Sequence, residues 1–134
     1  MITAKGGNTR YLTSFTNGKL EAFADNTAEK GGQGAGFRPH ELLEASLACC
    51  INMWIRIYAD NHGLQLDEVT TKVWVKRDKP EETGFEYSIE LQGALTDEQR
   101  SKLMRIAETC PVRQSLSRKL SIYPLLAASE SQIE

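Results

Sequence analysis

The longest apolar stretch of the chain, "LLEASLACCINMWI" at residues 42 to 55, carries a single charge in fourteen residues. Its flanks read as helix ends. Pro39 suits the first helical position, where its missing N–H costs nothing, and Glu41 and Glu44 lie where the helix dipole favours negative charge. Gly63 is a natural stop. The pattern therefore predicts one helix over about 39–61, ~35 Å long at ~1.5 Å per residue. Its apolar positions are not confined to one stripe, so it should be buried on several sides. One small domain can hardly enclose such a helix, and a second subunit is expected to cover part of it.

Period-two alternation marks the strands. In "DEVTTKVWVKR", Val69, Thr71, Val73 and Val75 share one face, with Thr70, Lys72, Trp74 and Lys76 on the other. In "GFEYSIELQG", Phe85, Tyr87, Ile89 and Leu91 alternate with Glu86, Ser88, Glu90 and Gln92. The polar "DKPEET" joins them as an antiparallel pair with one wet face. Earlier, "YLTSFT-NG-KLEAFA" reads as a hairpin, with Asn17-Gly18 as a two-residue turn because both positions tolerate positive φ. Gly31, Gly32, Gly34 and Gly36 mark a loop that feeds into the long helix.

Thr96 and Gln99 have capping-box spacing for a second helix over about 97–109, whose inner face is Leu103, Ile106 and Ala107. Pro111 ends it and opens a short third helix reaching about 116–119. "LSIYPLL" predicts a last short strand, and the polar tail "AASESQIE" is expected to fray. No repeat or linker is visible, so the 134 residues are expected to form one domain.

Composition narrows the function classes. The chain is 40% hydrophobic and 25% charged, with net charge −2. There is thus no basic field for nucleic acid or an anionic membrane. No uninterrupted apolar run reaches the ~20 residues of a bilayer span. "MITAKGGNTR" lacks the apolar core of a secretory signal, so the expected compartment is the cytoplasm.

The candidate chemistry lies in three cysteines, Cys49, Cys50 and Cys110. An odd number and a reducing compartment argue against a disulfide framework. There is no C-x-x-C, and His40 and His62 have no zinc-site spacing. Thiol chemistry needs the thiolate. Cys110, just before Pro111, can cap the third helix, where free N–H groups would stabilise a negative sulfur. Cys50 lies about eleven residues into its helix, beyond the terminal dipole, and would need a cation such as Arg10 or Arg38. Arg56, six positions on, falls on roughly the opposite side. Cys49 and Cys50 point about 100° apart, so at most one faces a given pocket. A mobile pair would join one of them to Cys110. The residues alone leave a second reading open, since free cysteines commonly serve as small buried hydrophobes.

Other candidates read as structure. His40 is a solvated first-turn residue. The glycines at 31–36 lack the G-x-x-x-x-G-K-[ST] pattern of a phosphate loop. Trp54 and Tyr58, at i and i+4, read as core or interface, and Lys72, Lys76 and Arg77 as an exposed strand face.

"GFRPHELLEASLACC" and "TCPV" together resemble the two motifs of the OsmC/Ohr family, the osmotically inducible and organic hydroperoxide resistance proteins. Cys50 matches the family's peroxidatic position and Cys110 its resolving cysteine. Cys49 falls where alanine or glycine is usual. The order of elements is similar over nearly the whole chain. The resemblance implies an α+β fold, with antiparallel sheets packed on a long central helix, in an intertwined homodimer. It also implies a cysteine-based peroxidase acting on organic hydroperoxides, and on hydrogen peroxide. Cys50 would become a sulfenic acid and then a Cys50–Cys110 disulfide. An external dithiol, lipoyl-type in some members, would reduce it. No bound cofactor or metal is implied. The activating arginine would come from the N-terminal strands, with Arg10 ahead of Arg38. His40 stands where the family has a glutamate paired with that arginine. This departure keeps a second expectation in view, an OsmC-like redox-sensing or binding protein with little turnover; a dimer with inert cysteines is a third.

Overall fold

The apolar segment forms one unbroken helix, α1 (Pro39–Asn61), with the boundaries its sequence predicts, in a computed structural model that describes residues 1–126. The polar tail at 127–134 lies outside the described residues. At its start, the Arg38 backbone N–H donates to Glu41 Oε1 at 2.8 Å, and the Glu41 N–H returns to the Arg38 carbonyl at 2.9 Å. Glu41 thus satisfies one of the donors a helix start leaves free. Glu44 does something other than face the dipole: its Oε2 accepts the Val75 N–H at 2.9 Å. At the far end Gly63 adopts φ 63°, and the Leu64 N–H closes on the Ala59 carbonyl at 2.9 Å.

The chain divides into two compact units, Met1–Leu42 with the residues from Ser121 onward, and Leu43–Leu120. In the first, strands β1 (Thr3–Gly6), β2 (Thr13–Thr16) and β3 (Glu21–Ala24) form an antiparallel sheet in that order. The expected hairpin is β2–β3, but Thr16 pairs with Glu21, so its loop has four residues rather than two. Asn17 explains the difference: its Oδ1 accepts the N–H groups of both Lys19 and Leu20, each at 2.9 Å. This side-chain turn widens the loop. Strand β1 has no sequence signal, because all four of its residues are exposed and show no alternation.

The glycine-rich segment is a loop wound around Asp25, which is 4% exposed. Its carboxylate accepts the backbone N–H groups of Asn26 (2.8 Å), Gln33 (3.1 Å) and Ala35 (3.1 Å). Residues 120–126 carry the predicted last strand, but they run as irregular chain with no strand partner among the described residues. Ile122 is 96% exposed there. Alternating apolar residues make a strand only when a neighbouring edge supplies hydrogen-bond partners.

The second unit holds the core. Strands β4 (Leu66–Lys79) and β5 (Glu82–Gly93) form a long antiparallel ribbon. They absorb most of "DKPEET", leaving Pro80 and Glu81 as the turn between paired Lys79 and Glu82. The predicted face is correct: Val69, Thr71, Val73 and Val75 pair with Leu91, Ile89, Tyr87 and Phe85. Helix α2 (Asp97–Ala107) has both hydrogen bonds of the Thr96/Gln99 capping box, each 3.0 Å, and stops two residues short of the predicted end. Helix α3 (Pro111–Ser117) follows. Leu47, Ile51, Ile55 and Ala59 of α1 are buried together with Leu66, Leu103, Ala107 and Cys110. Each fully buried Leu or Ile stabilises this packing by about 1.5–3 kcal/mol.

By length and mean hydropathy α1 also resembles a membrane span, although its apolar run is interrupted. Its buried stripe, one residue per turn from Leu47 to Ala59, makes it the core helix of this unit. The other side of α1 is exposed among the described residues. Cys49 is exposed, as are Met53 and Ile57.

Candidate active site

Cys50 and Cys110 are sixty residues apart in sequence and meet in the second unit. Cys50 is half-buried on α1 and packs against the core, while Cys110 is wholly buried within it. Cys110 is the N-cap of α3, as the Pro111 rule predicts, and its Sγ accepts the Arg113 backbone N–H at 3.4 Å. The expected consequence for acidity does not follow. Burial pushes the Cys110 thiol up, and the Arg113 N–H opposes this only in part. The neighbouring Cys50 pushes it further in the same direction; the Val112 N–H pulls it back. Loss of water around the sulfur outweighs the dipole of a two-turn helix. Cys110 is therefore held as a protonated thiol beside Cys50.

Trp54 lies one helical turn beyond Cys50 on the same face of α1. Its Nε1–H donates to Thr109 Oγ1 at 2.8 Å. The Thr109 hydroxyl in turn donates to the Ile106 carbonyl at 2.7 Å. The Arg113 guanidinium folds back to the Glu108 carbonyl at 3.3 Å. The turn between α2 and α3 is thus tied both to itself and to α1. Sequence reasoning placed Trp54 in the core or an interface and missed its polar partner. The i to i+4 spacing from Cys50 was the available signal. Nothing local marked Thr109.

Arg10 and Arg38 belong to the N-terminal unit. Arg10 adopts φ 32°, a left-handed backbone unusual for a residue with a side chain. Its guanidinium reaches the Gly31 carbonyl at 3.5 Å. Gly31, itself at φ 92°, leaves room for this: a Cβ there would lie 3.1 Å from the Tyr11 ring and 3.2 Å from the Arg10 guanidinium. Arg38 forms an exposed ion pair with Glu41, 3.6 Å apart. His40 is exposed in the first turn of α1. Among the described residues, no group of three or more His, Cys, Asp or Glu side chains is arranged to hold a metal ion.

The family model of OsmC-like proteins matches residues 31–123, which include α1 with Cys50 and the Cys110-Pro111 turn. This chain belongs to the OsmC-like protein family. Solved structures agree on the α+β fold. An organic hydroperoxide resistance protein OsmC from Legionella pneumophila, also described as a predicted redox protein and regulator of sulfide bond formation, is 26% identical. The alignment covers 87% of this chain and 88% of that one, with a TM-score of 0.60. The OsmC-like protein of Mycoplasma pneumoniae is 18% identical over 87% of this chain and 85% of its own, with a TM-score of 0.71. The organic hydroperoxide resistance protein OhrB of Bacillus subtilis is 22% identical over 87% and 89%, with a TM-score of 0.63. A comparison with curated proteins finds no match.

Within this OsmC-like fold the adjacent cysteines are separated by their helix positions. Cys50 faces the Cys110 side, and Cys49 faces outward with Met53 and Ile57. Cys49 is thereby turned away from the core cluster that Cys50 and Cys110 share.

Proposed function

We propose that this OsmC-like protein is a thiol peroxidase that reduces organic hydroperoxides, and hydrogen peroxide, through Cys50 and Cys110. The observation that carries this reading is that two cysteines sixty residues apart come together at one core cluster, Cys50 half-buried against it and Cys110 wholly buried within it. The Cys50 thiolate attacks one peroxide oxygen. The O–O bond breaks, a proton goes to the departing oxygen, and Cys50 sulfenic acid and an alcohol result. Cys110, protonated and sheltered, does not compete for peroxide. Its sulfur then attacks the sulfenic sulfur, releasing water and forming the disulfide. An external dithiol, such as a lipoyl-type cofactor in the reducing cytoplasm, gives up its two hydrogens by exchange and restores both thiols.

Arg10 is the first choice to hold Cys50 as a thiolate, and Arg38 the second, because Arg38 already pairs with Glu41. The working form is a homodimer of one OsmC-like domain per chain. The uncovered stripe of Cys49, Met53 and Ile57 supports this, as does the exposure of Ile122 and Tyr123 (96% and 81%). His40 favours a second reading, a redox-sensing or small-molecule-binding protein that turns over little, because an imidazole replaces the family's arginine-pairing carboxylate.

The test mixes reduced protein with one equivalent of cumene hydroperoxide or hydrogen peroxide and maps the digest by mass spectrometry. A rapid Cys50–Cys110 disulfide, faster with the organic peroxide, is expected. Cys50→Ser should abolish it, and Cys110→Ser should stop at the sulfenic acid. Unmodified thiols would end the peroxidase reading. Stoichiometric oxidation without turnover under added dithiol would select the second reading.

A further inference from the structure

Disulfide formation demands more than proximity. The two sulfurs must close to ~2.05 Å, with a specific dihedral. While they do so, the Cys50 sulfenic acid remains open to a second peroxide. That reaction converts it to sulfinic acid, yields a second alcohol and removes the cysteine from the cycle. How firmly Cys110 is held against the helix carrying Cys50 therefore decides which product forms.

Among the described residues, a direct polar link joins these two segments near the thiols. Trp54 stands one turn from Cys50, and Thr109 immediately precedes Cys110. The indole N–H donates to the Thr109 hydroxyl at 2.8 Å. That hydroxyl cannot rotate freely, because its own proton is committed to the Ile106 carbonyl at 2.7 Å, which leaves its lone pairs as the acceptor for the indole. The backbone of the turn is pinned as well, with Thr109 N–H to Ile106 O at 2.9 Å and Cys110 N–H to Ala107 O at 3.3 Å. Trp54 packs half-buried against the same core as Cys50.

We infer that Trp54 and Thr109 form a positioning clasp that favours the Cys50–Cys110 disulfide over sulfinic acid on Cys50. The inference rests on the peroxidase reading above. Neither residue is assigned contact with the peroxide. Their role is to shorten the life of the sulfenic acid by presenting Cys110 to it, so the clasp should govern the second step and leave the first unchanged.

The test uses the full chain, reduced, with Thr109→Val, Thr109→Ser and Trp54→Phe. Thr109→Val keeps the shape and removes the acceptor; Thr109→Ser keeps the acceptor. Each protein meets increasing cumene hydroperoxide, and peptide mass spectrometry measures disulfide against sulfinic acid at Cys50. Thr109→Val and Trp54→Phe should raise the ratio of sulfinic acid to disulfide by about three- to tenfold, the effect of one lost hydrogen bond. The rate of consumption of the first equivalent should not change, and Thr109→Ser should match wild type. A merely structural role would slow both steps together, and serine would not restore the ratio by itself. Wild-type and Thr109→Val proteins with the same ratio would overturn the clasp while leaving the peroxidase reading intact. Failure of the wild type to form the disulfide at one equivalent would overturn both.

Discussion

Leu103→Ala tests how the fold holds the buried thiol. Leu103 is fully buried on α2 and shares its cluster with Cys110 and the α1 residues Ile51 and Ile55. The substitution removes three carbons from that cluster. At about 0.8 kcal/mol per buried carbon, the transfer term is about 2.4 kcal/mol. The cavity left between α1 and α2 adds to it, giving a total of about 3–4 kcal/mol. With a urea slope of about 2 kcal/mol per molar, the unfolding midpoint should fall by about 1.5–2 M. Ser101→Ala, on the exposed side of the same helix, should stay within about 0.5 kcal/mol. Both must be measured at one protein concentration, since association would shift the midpoint. A second readout is linked to the first. Cys110 reacts with an alkylating reagent only when the packing opens, so its rate should rise about a hundred- to a thousandfold in the variant if opening is fast relative to alkylation. A Leu103→Ala midpoint equal to that of Ser101→Ala, with Cys110 still protected, would refute the placement of Leu103 in one core with the thiol.

Three further outcomes are expected. Asp25 is held below its ordinary carboxyl pKa of 3.8, first by the Ala35 N–H and then by those of Gln33 and Asn26, against the opposing effect of burial. A depressed folded value means its contribution is complete above about pH 4 and lost as pH falls through that lower value. Acid unfolding followed by circular dichroism should therefore be steeper in wild type than in Asp25→Asn, and parallel curves would contradict the loop geometry. Gly93 has φ 147°, and a Cβ there would overlap the Gln65 carbonyl oxygen. Gly93→Ala should cost at least about 1–3 kcal/mol in a urea titration, whereas Gly84→Ala, with its nearest neighbour at 3.6 Å, should cost less. Arg56 donates to the carbonyls of Leu66 (2.6 Å) and Asp67 (3.2 Å) and also pairs with exposed Asp60 at 3.8 Å. The carbonyl bonds should dominate: Arg56→Met is expected to lose about 1–3 kcal/mol and Asp60→Asn less than about 0.5 kcal/mol, and equal losses would reverse that ranking.

The sequence by itself determined the elements whose signals are local. Helix α1 was legible from its apolar run, Pro39 and Gly63. The β4–β5 face was legible from strict alternation, and the start of α2 from Thr96 and Gln99. Each signal comes from one segment satisfying its own backbone and sorting its own side chains. The two motifs added the family, which the match over residues 31–123 bears out. Tertiary structure decided whatever depends on a neighbour. Strand β1 exists because β2 lies beside it, although its own residues show no pattern. Residues 120–126 have a strand's composition and, among the described residues, no strand partner. The Asn17 side chain set the length of a loop that the Asn-Gly pair alone would have made tighter. The N-cap position of Cys110 could be read from Pro111, but its acidity could not. That depends on the core closing around the sulfur, and desolvation, a property of everything packed around a group, outweighed the dipole of a short helix.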